Sequence, residues 1–249
     1  DIIVNAAAYT AVDRAESEPE VAMRVNGVAP GILAEEACRL GALLVHYSTD
    51  YVFDGAKPHA YVEDDVPAPI NEYGRSKLAG EQAIRAADGA YYIFRTSWVY
   101  AARGRNFVRT ILRLARERDE LRIVADQKGA PTPARPIAHM TAQVLAADGA
   151  RERTGLYHFT AAGAVSWCGF AHAILERAQA VYPDIKIPRL IPIPSSEYPL
   201  PARRPRNSRL DTSRLATAFD VVVQDWNDML GHCMLEMASG TPIELPARA

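Results

Sequence analysis

The chain has 249 residues with 28 basic and 30 acidic side chains, a net charge of −2, which argues against a general nucleic-acid-binding surface. Its length removes about 70–75% of the unfolded surface on folding, enough for one large domain or two small ones, and no apolar run reaches the roughly 18 residues of a membrane span. Cys38, Cys168 and Cys233 lie far apart with no Cys-x-x-Cys, so buried thiols in a reducing cytosol are expected in place of a disulfide framework or a zinc site.

The opening, Asp1-Ile2-Ile3-Val4-Asn5, runs into Ala6-Ala7-Ala8 and reads as a fully buried parallel strand ending in small residues, with no signal-peptide pattern before it. Such an end suits either close packing of a helix on the strand or the approach of a flat ligand to the backbone. Val21 to Leu40 has helical spacing, with Val21, Val25, Val28, Ile32, Leu33 and Leu40 on or near one stripe and Gly41 as the stop. Pro30 predicts a kink there, or a new first turn after Gly27. Leu43-Leu44-Val45-His46-Tyr47 reads as a second buried parallel strand, ending at Ser48-Thr49-Asp50. A polar, Pro-rich loop from Gly55 to Asn71 is expected to lie over that strand end. The helix from about Glu72 to Ala86 then fits a crossover returning to a strand at Tyr91–Arg95.

That strand closes on Thr96-Ser97-Trp98-Val99-Tyr100. Trp98 has two readings: a core aromatic between sheet and helix, or an indole laid against a sugar ring at the carboxyl end of a strand. Asn106 to Glu120 is an amphipathic helix with Phe107, Ile111, Leu112 and Leu114 inward, and Arg113, Arg116 and Arg118 forming a solvated outer face. A short strand at Leu121–Val124, a turn-forming stretch from Asp126 to Thr132 and a helix from Ile137 to Ala147 follow. Leu156–Phe159 is another strand, and Ser166 caps a helix over Trp167–Ala180. Pro183 to Pro205 holds seven of the 17 prolines between extended pieces, and helices follow at Thr212–Ala216 and Trp226–Met237. The alternation predicts an α/β fold: a Rossmann-type doubly wound parallel sheet over residues 1–150, and a smaller α/β domain over residues 151–249 that closes over a substrate.

Candidate chemistry concentrates at Thr49, Tyr73 and Lys77. Four residues apart on a helix, Tyr73 and Lys77 share a face with about 5–6 Å between their Cβ atoms, and the ammonium is expected to favour the phenolate of a group whose reference pKa is about 10. A Tyr-x-x-x-Lys is common on amphipathic helices as a solvated pair. Downstream of a strand-end Ser-Thr-Asp it is far less so. Six histidines occur without His-x-His, His-Glu-x-x-His or a Cys/His cluster, so no catalytic metal is expected.

Ser-Thr-Asp-Tyr-Val-Phe (48–53), Tyr-Gly-x-x-Lys-Leu-Ala-Gly-Glu (73–81), Phe-Arg-Thr-Ser-Trp-Val-Tyr (94–100) and Pro-Ala-Arg-Arg-Pro-x-Asn-Ser-Arg-Leu (201–210) together resemble the extended branch of the short-chain dehydrogenase/reductase superfamily. Within it they are similar to the dTDP-4-dehydrorhamnose reductase family, over Asp1 to about Gly240. The resemblance implies NADPH- or NADH-dependent reduction of the C4 keto group of a dTDP-linked sugar, in a cytoplasmic enzyme that acts as a monomer or homodimer without nucleic acid or membrane. It implies Tyr73, Lys77 and Thr49 as catalytic residues, and Asn5, Ala6, Ala7, Ala8, Tyr9 and Thr10, with Tyr73 and Lys77, as the cofactor turn. It further implies Thr49, Asp50, Trp98, Asn106, Arg203, Arg204 and Arg206 as the substrate side, the arginines holding a diphosphate. Family members carry a Gly-rich strand-turn-helix before their equivalent of Asp1. No G-x-G-x-x-G occurs here, so a fragment lacking its first strands is expected, with the edge of the Ile2–Asn5 strand left open. Some members hold Mg2+ at a dimer interface through a carboxylate shortly after Gly-Ala-Pro-Thr. Arg135 stands at that place and argues against that ion and that dimer. The alternatives implied are another extended-family nucleotide-sugar reductase or epimerase, or a non-catalytic subunit like the β-subunit of methionine adenosyltransferase.

Overall fold

A computed structural model describes residues 1–183 and 185–239; residues 240–249 of the second expected domain lie outside them. In chain order the elements are β1 (Ile2–Asn5), α1 (Val12–Ala15), α2 (Pro19–Met23), a π-helical turn (Arg24–Val28), α3 (Ala29–Arg39), β2 (Leu43–Thr49), α4 (Glu72–Ala86), β3 (Tyr91–Thr96) and β4 (Val99–Tyr100). There follow α5 (Phe107–Glu117), β5 (Glu120–Val124), β6 (Lys128–Gly129), β7 (Thr132–Pro133), α6 (Ala134–Ala146), β8 (Gly155–His158), β9 (Val165–Ser166), α7 (Trp167–Val181), β10 (Arg189–Ile193), α8 (Ser213–Phe219) and α9 (Trp226–Ser239).

The central sheet is parallel in the order β1-β2-β3-β8. Because side chains alternate along a strand, Leu43, Val45, Tyr92 and Phe94 face α6 and α8, packing on Met140, Val144, Leu215 and Phe219. Leu44 and Ile93 face α3 and α4, against Ala34, Ala37 and Ile84. A second core joins α5, α7 and α9 around Ile111, Phe170, Ile174 and Leu230, roofed by the parallel pair β5-β10. α4 begins where Asn71 caps it by accepting from the Gly74 N–H at 2.7 Å.

Two expectations change. β1 is an edge strand with Ile2 and Val4 exposed at 48% and 51%, not a fully buried one; its outer edge is unpaired among the described residues. Most of the apolar stripe of residues 21–40 points outward: Val25, Val28, Ile32 and Leu40 are exposed, Leu33 packs on the core at its edge, and Ala22, Asn26, Gly27, Pro30, Gly31, Ala34 and Ala37 face inward. Small residues win the inner face because α4 crosses too close for branched chains; a Cβ on Gly80 would stand 2.1 Å from the Asn26 carbonyl oxygen. The helix is also three segments, with Pro30 in the first turn of α3 and Gly41, at φ +62, ending it. Both cores draw on elements from before and after residue 150. β8 and α8 pack with the central sheet, whereas α5 and β5 pack with α7, α9 and β10.

Candidate active site

β2 and α4 meet with matched spacing. Two residues along a strand advance about 6.6 Å and four along a helix about 6 Å, so His46 and Ser48 of β2 stand opposite Lys77 and Glu81 of α4. His46 Nε2 lies 3.0 Å from Lys77 Nζ, and Ser48 donates to Glu81. Glu81 also takes Arg95 of β3 in a two-pronged pair, at 2.9 and 2.6 Å, with both side chains buried. A paired, fully bonded charge of this kind fixes the helix against the sheet.

Thr49 is the last residue of β2. Its hydroxyl donates to Asp50 Oδ1 at 3.0 Å and accepts from the Tyr51 N–H at 3.1 Å, and it lies near enough to the Tyr73 phenol to pull that group's pKa downward. Tyr73 is half-buried, and burial pushes its phenol up to about 12, opposed by Thr49 and helped by Asp50. At neutral pH it is a proton donor. The expected tuning by Lys77 is not what this arrangement shows: the Lys77 amine is buried, bonded to His46 and donating to the Tyr47 carbonyl at 2.6 Å. Burial holds Lys77 down to about 8, with Glu81 pulling upward. Asp50 is pushed up to about 7 by burial, with Ser208 and Thr49 pulling the other way, and its Oδ2 has no partner among the described residues.

The turn after β1 lies beside this group. Asn5 is buried, with Ala6, Ala7 and Thr10 exposed and Ala8 and Tyr9 half-buried. Asn26, in the π-helical turn, accepts from the Tyr9 N–H at 2.8 Å and donates to the Tyr9 carbonyl and to Ser76, each at 3.0 Å. One carboxamide thereby ties the turn to α4. Tyr9 itself donates to Glu18.

On the other side, Tyr51 meets Tyr73 edge-on, with centroids 5.8 Å apart, and has the Arg204 guanidinium as a neighbour. Arg204 lines a cleft of about 580 Å³ together with Arg203, Phe107, Val124, Gln127 and Trp167. Trp98, held at φ +47, stacks on Trp167 at 3.5 Å, so it reaches the cleft through a second indole that sequence reading missed. The three-arginine cluster is divided: Arg204 is bound to Asp13 at 3.0 and 2.7 Å, Arg203 faces the cleft, and Arg206 lies toward Asp126. Asn106 is an N-cap, accepting from the Arg109 N–H and donating to the carbonyls of Ala101 and Arg103, so its amide is engaged in its own loop. Arg135 pairs with Glu236, and among the described residues no three His, Cys, Asp or Glu side chains gather to hold a metal.

His46, Asn26, Tyr51, Glu81, Arg95 and Trp167 escaped the sequence reading. Only the first, fourth and fifth left a signal: polar residues inside otherwise apolar strands, and a glutamate one turn after Lys77.

A parallel α/β sheet carrying hydroxyl, phenol and lysine at the carboxyl end of β2 defines a Rossmann-type oxidoreductase of the extended short-chain dehydrogenase/reductase kind. The family model described as the RmlD substrate binding domain matches residues 1–239. The chain belongs to that family, that of the dTDP-4-dehydrorhamnose reductases. It is 52% identical over 247 residues to the dTDP-4-dehydrorhamnose reductase of Burkholderia thailandensis, covering 96% of this chain and 83% of that one. To the Escherichia coli K12 enzyme of that name it is 45% identical, covering 98% and 82%. The crystal structure of the Bacillus anthracis dTDP-4-dehydrorhamnose reductase in complex with NADP superposes with a TM-score of 0.87 at 37% identity, over 94% of this chain and 80% of that one.

Proposed function

We propose that this chain reduces the C4 keto group of dTDP-4-dehydro-L-rhamnose with NADPH or NADH, giving dTDP-L-rhamnose. The observation that carries the reading is the neighbouring Thr49 and Tyr73 hydroxyls, set beside the buried Lys77 in a chain of this family. The small, exposed residues Ala6 and Ala7, with Ala8, Tyr9 and Thr10, fit a flat nicotinamide against the backbone, and Lys77 stands at its ribose side. Bound there, the cofactor supplies the hydride.

The chain's own residues handle the oxygen. Thr49 orients and polarises the carbonyl by a hydrogen bond. The Tyr73 phenol, protonated at neutral pH, gives its proton to the developing alkoxide as general acid. Asp50 faces the sugar, and the cleft with Trp167, Trp98 and Arg203 takes the nucleotide diphosphate, whose anionic oxygens suit a guanidinium. Arg204 acts indirectly, bracing Tyr51 against Tyr73.

Tyr73→Phe tests the assignment. Consumption of NADPH and NADH with a panel of keto-sugar nucleotides should fall by about 10²–10⁴-fold, while binding of the sugar nucleotide, followed by calorimetry, persists. Turnover that survives the substitution overturns it.

A further inference from the structure

We propose that Asp13 is a positioning residue: it fastens the cleft wall at Ala202–Arg204 to the segment that follows the cofactor turn, so that cofactor and sugar nucleotide bind cooperatively. The inference rests on the reading of residues 5–10 as the cofactor turn and of the cleft as the nucleotide site. α1 starts just past that turn, where the Val12 N–H donates to the Thr10 carbonyl at 3.0 Å. Asp13 stands in the first turn of α1, and its carboxylate collects three hydrogen bonds from one distant stretch. Oδ1 accepts from the Ala202 N–H at 3.2 Å and from Arg204 Nη1 at 3.0 Å, and Oδ2 accepts from Arg204 Nη2 at 2.7 Å. Arg204 Nη1 also donates to the Ala202 carbonyl at 3.1 Å, so guanidinium, backbone and carboxylate close a ring. A two-pronged charged pair fixes direction as well as distance.

The Arg204 bonds also hold the Asp13 carboxyl below its ordinary range, so it is a carboxylate at neutral pH. The same stretch is pinned from a second side. Buried Asn71, the cap of α4, donates from Nδ2 to the Arg203 carbonyl at 2.8 Å while its Oδ1 accepts from the Gly74 N–H. Glu16, at the end of α1, accepts from the Glu72 N–H at 2.8 Å and so joins the two pins. Cleft wall, start of α4 and cofactor-side segment thus form one closed frame, and Ala202, Arg203 and Arg204 all line the cleft.

The consequence is a coupling between two ligands that need not touch. Without the Asp13 carboxylate the wall still hangs from Asn71, but it no longer follows the turn. A cofactor that orders the turn therefore leaves less of the wall for the sugar nucleotide to order, and linkage makes the benefit reciprocal.

NADP+ and dTDP have no reaction with one another, so titration calorimetry of the full chain with both reads the coupling without turnover. NADP+ should tighten dTDP by about fivefold or more, and dTDP should tighten NADP+ by the same factor. Asp13→Asn keeps an oxygen for the Ala202 N–H but sets an amide against Arg204. The coupling factor should then fall to about twofold or less, with dTDP affinity in the absence of cofactor within about threefold of the parent. Arg204→Met should act likewise, and the double variant should lose no more coupling than either single one, as two ends of one link do. Parental coupling in either variant overturns the proposal, as does a parent in which the two ligands bind independently. An Asp13→Asn variant that weakens dTDP equally with and without NADP+ shows a local brace and overturns it too. Failure of NADP+ or dTDP to bind the parent at all would instead refute the functional reading on which the proposal rests.

Discussion

At the scale of single residues, the Thr49 hydroxyl makes two hydrogen bonds, to Asp50 and Tyr51, and neighbours the Tyr73 phenol. Thr49→Val keeps the shape and removes both, leaving the Tyr51 N–H without its partner and the Tyr73 phenol without its neighbouring hydroxyl. kcat should fall by about 10²–10³-fold, the scale of one lost oxyanion donor, with KM for the sugar nucleotide little changed. Thr49→Ser should stay within about tenfold of the parent. Steady-state kinetics separates the two variants. Equal losses in both would mean that the methyl, not the hydroxyl, is what the site uses.

At the scale of elements, the contact that sets the site is the close crossing of the π-helical turn over α4. A π-turn widens the helix locally and commonly marks functional sites; here it presents the Asn26 side chain to the Tyr9 backbone and its carbonyl to Gly80. Gly80→Ala places a methyl 2.1 Å from that carbonyl oxygen, where neither backbone can yield. Overpacking of this kind costs about 1–3 kcal/mol or more, and the shift propagates through Asn26 to the cofactor turn. Urea unfolding should show the lower midpoint, and KM for NADPH should rise. A variant of parental stability and KM would show that the two helices slide freely.

At the scale of the molecule, pH acts through buried imidazoles. His46 and His158 are each held down to about 3 from an ordinary value of 6.5, by burial first, with Lys77 and Arg95 respectively adding to it. The unfolded chain binds their protons from pH 6.5 downward and the folded chain does not. Their contribution is therefore intact above pH 6.5 and is lost as pH falls toward 3, on the order of 4–5 kcal/mol for each. Asp50, pushed up to about 7, runs the other way: its protonated form favours the fold at lower pH and offsets part of the loss. His158→Gln should reduce the slope of stability against pH between about 4 and 6 by about 1.4 kcal/mol per unit, one proton's worth. Urea midpoints measured across that range check it, and an unaltered slope would mean that His158 titrates normally in the fold.

What the amino-acid order determined on its own was local. Apolar runs bounded by small or turn residues marked β2 and β3, Ser166 announced its helix as a cap, and the four-residue spacing of Tyr73 and Lys77 put both on one helix after a strand-end Thr49, because caps, periods and motifs act over a few residues. Side-chain facing and partners were decided elsewhere. Nothing within residues 21–40 reveals that the branched chains must yield the inner face to alanine and glycine, since that follows from how near α4 passes. Nor does any local pattern foretell that Lys77 turns to His46, that Arg204 closes on Asp13, that Trp98 stacks on Trp167, or that β8 joins the sheet built by residues far before it. Those pairings span long stretches of chain, and only the packing of the finished sheet and helices brings them within a bond's length.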